Sequence, residues 1–256
     1  MSTRVDYDAI AHLYDEPRRD HAPDRLLEEF LAQRRAGLAP DVRVLDVGCG
    51  TGKQLASNRA RFGKMTMVGV DRSAGMLRIA RAREPEVAWI LGDAHALPVG
   101  SGTVDYATNQ FSYPHIRDKT RFASEIFRVL RLGGRFVLTN IDPWAMEQWI
   151  IYRYFPEARA LDERDYLTKA SLVNLLAEVG FVDIETSTRD LSRDEDLARF
   201  HAYATQRHSA SQFLALPDAV YEAGLGRVRE HLTVAGAGVT VPSEFVILTI
   251  SAGKRA

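Results

Sequence analysis

The run Val44-Leu45-Asp46-Val47-Gly48-Cys49-Gly50-Thr51-Gly52 decides how the rest of the chain is read: an apolar stretch stops on an acid and opens into alternating glycines. Val42, Val44, Leu45 and Val47 are β-branched and aliphatic residues suited to a strand buried on both faces, as in a parallel sheet. Glycines at 48, 50 and 52 permit positive φ and remove Cβ, so a ligand can lie against bare backbone where the next helix begins. A tight strand-to-helix turn asks for the same glycines on steric grounds alone. The third glycine also comes one residue earlier than in the dinucleotide pattern G-x-G-x-x-G, which disfavours a pyrophosphate. Asp46 adds a carboxylate at the carboxyl edge of the sheet, and an anion there suits a cationic ligand better than a phosphate.

Working outward, Lys53 to Phe62 reads as a helix and Met65 to Val70 as a second strand ending on Asp71. An acid at the end of the second strand of a βαβ unit can accept hydrogen bonds from both hydroxyls of a ribose. Ser73 caps a helix through Arg83, with Met76, Ile79 and Ala80 on one face. Arg78, Arg81 and Arg83 on that helix read as a solvated face. Val87 to Leu91 is a third strand, followed by Gly92-Asp93-Ala94. There the Asp93 carboxylate and the Ala94 N–H together can read an adenine ring. Val104 to Thr108 is the fourth strand, opening into Asn109-Gln110-Phe111-Ser112-Tyr113-Pro114-His115. Phe122, Ile126, Val129 and Leu130 stripe the next helix, Gly133-Gly134 end it, and Arg135 to Ile141 is the fifth strand. Thr168 opens a further helix that closes at Gly180; Phe181 to Thr188 and Phe245 to Ile250 are the remaining strands.

Upstream, residues 5 to 36 read as two helices, with Asp24 near the start of the second and Gly37-Leu38-Ala39-Pro40 ending it. Tyr7, Ile10 and Tyr14 fall at helical spacing, so this segment either covers a pocket as a lid or simply packs.

With 256 residues, 46% apolar and 26% charged, the chain has the composition of an ordinary soluble globular protein, with one elaborated domain as the expectation. A formal net charge of −1 brings no broad attraction to nucleic acid or anionic membrane. Cys49 is the single cysteine, which excludes an intrachain disulfide and fits a reducing compartment. Met1-Ser2-Thr3-Arg4-Val5-Asp6 lacks the apolar core of a signal peptide, and no apolar run reaches membrane-spanning length, so a cytoplasmic location is expected.

Asp46-x-Gly48-x-Gly50-x-Gly52, the strand end at Asp71, Gly92-Asp93-Ala94, and Glu125-Ile126-Phe127-Arg128-Val129-Leu130 before Gly-Gly resemble the class I S-adenosylmethionine-dependent methyltransferases. The nearest branch is the broad group that contains the ubiquinone and menaquinone methyltransferases. The motifs span residues 41 to 141 in the family's order. Two departures stand out: Leu132 replaces the proline that usually precedes Gly-Gly, and the fourth-strand loop lacks Asn-Pro-Pro-Tyr, which argues against a planar base or amide nitrogen as acceptor. The resemblance implies an α/β Rossmann-like seven-stranded sheet of order 3-2-1-4-5-7-6, the last strand antiparallel, with helices on both faces and a helical, aromatic cap. The implied layout is a core of 37–141, 165–190 and 241–252, an N-terminal helical lid of 1–36, and cap insertions 142–164 and 191–240. It further implies S-adenosylmethionine as cofactor, with S-adenosylhomocysteine as product. The residues expected to bind it are Tyr14, Asp46, Gly48, Gly50, Gly52, Asp71, Arg72, Met76, Asp93, Ala94, Asn109 and Phe111.

The insertion after the fifth strand holds Trp144, Trp149, Tyr152, Tyr154 and Phe155, a density well above the chain's 9% aromatics. Together with Tyr113 these either wall an apolar acceptor pocket or pack the insertion onto the core. The stretch 190 to 240 reads as helical and polar; its His201, Tyr203 and His208 read as ordinary surface residues. No cluster has metal-ligand spacing, and no metal is expected. Methyl transfer needs few catalytic groups, because holding the acceptor and the methyl group at attack distance does much of the work. A hydroxyl acceptor would still gain from a base, and His115 is the histidine best placed for it. The expected function is methylation of a small molecule, at oxygen first, with carbon, nitrogen and sulfur open. Neither nucleic acid nor membrane is an expected partner, and monomer and homodimer are both open. A macromolecular acceptor, or a sensor or scaffold that binds the cofactor without turning it over, are the alternatives.

Overall fold

The structure, a computed structural model, describes residues 5–15, 22–35, 42–63, 65–236 and 238–255. The expected end of the second helix at Gly37-Leu38-Ala39-Pro40 lies outside them.

The strand at the centre of the reading is β1 (Arg43–Val47), buried from Val44 onward. It pairs in parallel with β2 (Thr66–Asp71) on one side and β4 (Val104–Gln110) on the other. β3 (Ala88–Leu91) adds outside β2, and β5 (Leu130–Ile141) outside β4, all parallel. β6 (Val182–Asp190) and β9 (Val246–Gly253) complete the sheet in the order β3-β2-β1-β4-β5-β9-β6, with β9 antiparallel to both neighbours. The expected order is thus the observed one. Alternate residues of β1 feed the two sides of the sheet. Leu45 and Val47 join Val70, Ala107, Ile126 and Phe136 on one side, whereas Val44 joins Met67, Trp89 and Tyr106 on the other.

Helices α1 (Tyr7–Ile10), α2 (Arg25–Arg35), α3 (Lys53–Phe62), α4 (Ala74–Arg83) and α5 (Lys119–Val129) surround the first five strands. The Asp24 carboxylate accepts from the N–H groups of Leu26 and Leu27 at the start of α2, so the expected cap is in place. α6 (Ile150–Tyr154), α7 (Glu157–Asp165) and α8 (Lys169–Val179) follow β5. Thr168 caps α8 through the Ser171 N–H, and Gly180 ends it at φ +110°. α9 (Leu197–Ala204), α10 (Ser211–Ala215) and α11 (Asp218–Ala235) lie between β6 and β9.

Two local expectations are corrected. Gly133-Gly134 does not cap α5: that helix ends at Val129, β5 begins at Leu130, and the pairing with β4 jumps from Val104–Leu130 to Tyr106–Arg135. The intervening residues bulge out, with Gly133 at φ +76°, and a Cβ on Gly134 would lie 2.8 Å from the Arg131 carbonyl. Leu132, in the proline position of the resemblance, is 61% exposed on that bulge. The stretch 190–240 is not wholly helical either. β7 (Arg193–Asp196) and β8 (Thr240–Ser243) form an antiparallel two-stranded ribbon, a pairing across the sequence that the polar run Arg193-Asp194-Glu195-Asp196 does not announce. Among the described residues, no helix is long and apolar enough to cross a membrane.

Candidate active site

The register Val47–Val70 sets the glycine turn beside the end of β2. Gly48 donates to the Val70 carbonyl at 2.7 Å, and Gly48, Gly50 and Gly52 take φ of +75°, +54° and +77°. The three glycines serve different ends. A Cβ on Gly48 would fall 2.1 Å from the Ser112 Oγ and one on Gly52 2.5 Å from the Trp89 ring, whereas among the described residues Gly50 has nothing within 4 Å of that position. Gly48 and Gly52 are therefore demanded by packing, and Gly50 leaves its side open. The Gly50 N–H donates to Asp71 Oδ2 at 2.8 Å, and the Ser73 N–H donates to Asp71 Oδ1 at 2.9 Å. Asp71 is thereby fixed in orientation with lone pairs to spare, while burial pushes its carboxyl up. The Asn109 amide donates to the Val47 carbonyl at 2.8 Å and to Ser112 Oγ at 2.5 Å, locking the end of β4 to the turn. Phe111 follows in the left-handed region at φ +52°, 44% exposed. Met76 is buried on α4 and is absent from the cleft lining.

The N-terminal segment folds across this turn. Asp8 Oδ1 accepts from Ser73 Oγ at 2.8 Å and from the Gly75 N–H at 2.7 Å, and these donors hold its carboxyl below the usual range. Asp15 accepts from Thr51 Oγ1 at 2.8 Å and pairs with Arg83 at 2.5 Å and Lys53 at 3.6 Å. Burial opposes its ionisation, but Arg83, Thr51 and Lys53 outweigh it and the carboxyl is lowered. Arg78, Arg81 and Arg83 are exposed, as a solvated face would be, and two of them also make contacts. Arg83 holds Asp15 and the Thr51 carbonyl, and Arg81 donates to the Trp89 carbonyl at 3.0 Å. The Tyr7 hydroxyl and His115 Nε2 share a hydrogen bond of 2.7 Å, with Tyr14 edge-on to Tyr7 at 5.9 Å between ring centres.

Between this segment and the sheet edge lies a cleft of about 810 Å³. Of the residues singled out in the sequence, Gly48, Asp71, Arg72, Asp93, Ala94 and His115 line it and Tyr14, Asp46, Gly50, Gly52, Asn109 and Phe111 do not; Tyr7, Leu91, His95, Ser112, Ile116, Arg117, Asp118 and Arg121 join the lining. His95 is the most informative addition. Its Nδ1 lies 2.6 Å from Asp93 Oδ1, and its Nε2 accepts from the Asp118 N–H at 3.2 Å. Those partners select the neutral Nδ1–H tautomer. The His95 backbone N–H, then its ring, hold the Asp93 carboxyl below the usual range. Proximity to Asp93 in the sequence was the one signal that pointed to His95.

The aromatic residues behave otherwise. Tyr113 is 2% exposed, packs on Phe122 and lies under the Lys119 ammonium; burial pushes its phenol up. The Tyr152 hydroxyl donates to Asp162 at 2.7 Å, and the Tyr154 hydroxyl bonds His231 at 2.7 Å. Phe155 is fully buried against Phe213 and Tyr221, and Trp149 packs between Tyr152 and Phe245. Trp144 is partly buried against the same core. None of these six lines the cleft. Packing accounts for the contacts they make: Tyr154 and Phe155 meet helices from residues 197–235, Trp149 meets Phe245, and Tyr113 meets Phe122.

Residues 44–134 match the family model described as a methyltransferase domain. A demethylmenaquinone methyltransferase of Renibacterium salmoninarum is 32% identical over 53% of this chain and 60% of its own length, so the chain spans well under the whole of that relative. The 2-phytyl-1,4-naphtoquinone methyltransferase of Thermosynechococcus vestitus is 32% identical over 54% of this chain and 71% of its own. The fold matches that of Haemonchus contortus phosphoethanolamine N-methyltransferase 2 in complex with S-adenosyl-L-methionine. The TM-score is 0.59 at 19% identity, over 97% of this chain and 57% of that one. With the glycine turn, the sheet order and these relatives in agreement, the chain belongs to the class I S-adenosylmethionine-dependent methyltransferases, in the branch of the quinone methyltransferases.

Proposed function

We propose that this protein transfers the methyl group of S-adenosylmethionine to a hydroxyl oxygen of a small, apolar and aromatic acceptor. The observation that carries the reading is the convergence of an open Gly50 and an oriented Asp71 beneath a segment tied down at Asp8 and Asp15. When bound, the donor supplies an electrophilic methyl carbon on a sulfonium, open to in-line displacement. Asp71 retains lone pairs for ribose hydroxyls, and Asp93 with the Ala94 N–H suits an adenine edge. The acceptor class follows from the relatives, which are named for quinone substrates.

His115 is the group to take the proton from an acceptor hydroxyl. It lines the cleft, and its bond to Tyr7 sets the tilt of the ring while the N-terminal lid excludes water. His115→Ala should lower turnover by about a hundredfold, the lower end for a lost general base, with donor affinity held within about twofold. The primary test is transfer from labelled donor to a panel of naphthoquinols and other hydroxylated aromatics. Methylated product supports the proposal. Tight donor binding without transfer to any member of the panel favours a cofactor-binding sensor or scaffold.

A further inference from the structure

Asp46 is 2% exposed, and among the described residues its Oδ1 has no hydrogen-bond partner. Its register partners are Gly69 on β2, which offers no side chain, and Thr108 on β4, whose buried hydroxyl is likewise unpartnered. The thiol of Cys49 closes on Gly69 from the turn above, where a Cβ would lie 2.9 Å from its Sγ. The acids that act on Asp46 are Asp71 at the end of β2 and Asp24 at the start of α2, and both are repulsive. Cations around the turn are committed elsewhere or exposed: Lys53 and Arg83 face Asp15, and Arg72 is exposed at the cleft. A buried carboxylate with no counter-charge and an unmet acceptor is costly, and protonation is the usual escape. Burial first, then Asp71 and Asp24, push this carboxyl up to about 8.

We infer that Asp46 is a proton-exchanging counter-ion: it is a neutral acid when the turn holds no donor, and it releases its proton to solvent as the donor's sulfonium and ammonium settle beside it. This rests on the reading of the cleft as a donor site. Asp46 does not itself line the cleft, but Val47 and Gly48 directly after it do, so the donor's net positive charge entering there favours the ionised form of the uncommitted acid behind them. Burial raises the Asp71 carboxyl too, but backbone N–H groups from Ser73 and Gly50 oppose that rise, and no such donors oppose it at Asp46. A group titrating near 8 is ~90% protonated at pH 7, so release there approaches one proton per donor bound.

Titration calorimetry of the intact chain with S-adenosylmethionine at pH 7, in two buffers of different ionisation enthalpy, counts the protons. Wild type should release at least about 0.5 proton more than Asp46→Asn; the donor's own α-amino group titrates in both and cancels in the difference. Infrared difference spectra of wild type should also lose a protonated-carboxyl C=O band on donor binding, a readout that survives if the variant does not fold. Equal proton counts in the two proteins, or a carboxyl band that persists in the complex, overturn the inference. If S-adenosylmethionine produces no binding heat with wild type, the donor reading itself fails and takes this inference with it.

Discussion

At the scale of single residues, Asp71 and Asp46 are two carboxyls at one sheet edge with opposite circumstances. Asp71 is anchored by two backbone N–H groups, one on each carboxylate oxygen, so an amide can keep only one of those bonds and turns its NH2 towards the other donor. Asp71→Asn should therefore lose some stability and bind S-adenosylhomocysteine about 10- to 100-fold more weakly, the loss of a charged hydrogen bond of about 1.5–3 kcal/mol. Isothermal titration measures this, and unchanged affinity would remove the ribose assignment. Asp46 leaves its mark on stability. Its folded value is raised, so its contribution is fully present below the unfolded value near 4 and is lost as pH rises towards about 8. In donor-free protein, denaturant titrations across that window should show wild type losing up to roughly 1.4 kcal/mol per pH unit relative to Asp46→Asn. Parallel curves would mean that Asp46 titrates normally. These acids and the glycines were legible in the sequence because their chemistry is written in one or two short runs. The Tyr7–His115 bond was not, because it joins positions 108 residues apart.

At the scale of elements, the N-terminal segment rests on α4 through a glycine. A Cβ on Gly75 would lie 3.0 Å from Asp8 Oδ1 and 3.1 Å from the Ala11 Cβ, so alanine there forces the segment to give way. The same substitution favours the helix itself by about 1 kcal/mol. Gly75→Ala should thus leave thermal stability equal or higher while S-adenosylhomocysteine dissociates several-fold faster in stopped flow. Slower or unchanged dissociation would mean the segment does not gate the cleft. Acid should act in the same sense: Asp8 and Asp15 are both lowered, so their tethers hold above the normal carboxylate range and are lost as pH falls through the depressed values. Element identity was readable from periodicity and caps, as Thr168 and Gly180 illustrate for α8. Boundaries set by partners were not: β5 starts five residues early because β4 recruits Leu130, and the β7–β8 ribbon exists only through its pairing.

At the scale of the whole molecule, the cleft proposed for the donor and the outer helices are built from different chemistry. The cleft is lined by residues from the N-terminal segment and from the stretch running from the glycine turn into α5, whereas the outer layer centres on Asp162, fully buried between α6 and α10. Asp162 Oδ2 accepts from the Tyr152 hydroxyl at 2.7 Å and from Gln212 Nε2 at 2.9 Å, pinning the insertion after β5 to the helices that follow β6. Asp162→Ala would strand two buried donors, each costing about 1–3 kcal/mol. None of the three residues lines the cleft. The variant should unfold at lower urea by an amount equal to roughly 2–5 kcal/mol, yet its folded fraction should bind S-adenosylhomocysteine within about twofold of wild type. Affinity falling in step with stability would show that the outer helices hold the donor site in shape. Independence of the two would instead mean that the sheet edge and its glycine turn alone specify the donor, leaving the outer layer free to vary with the acceptor.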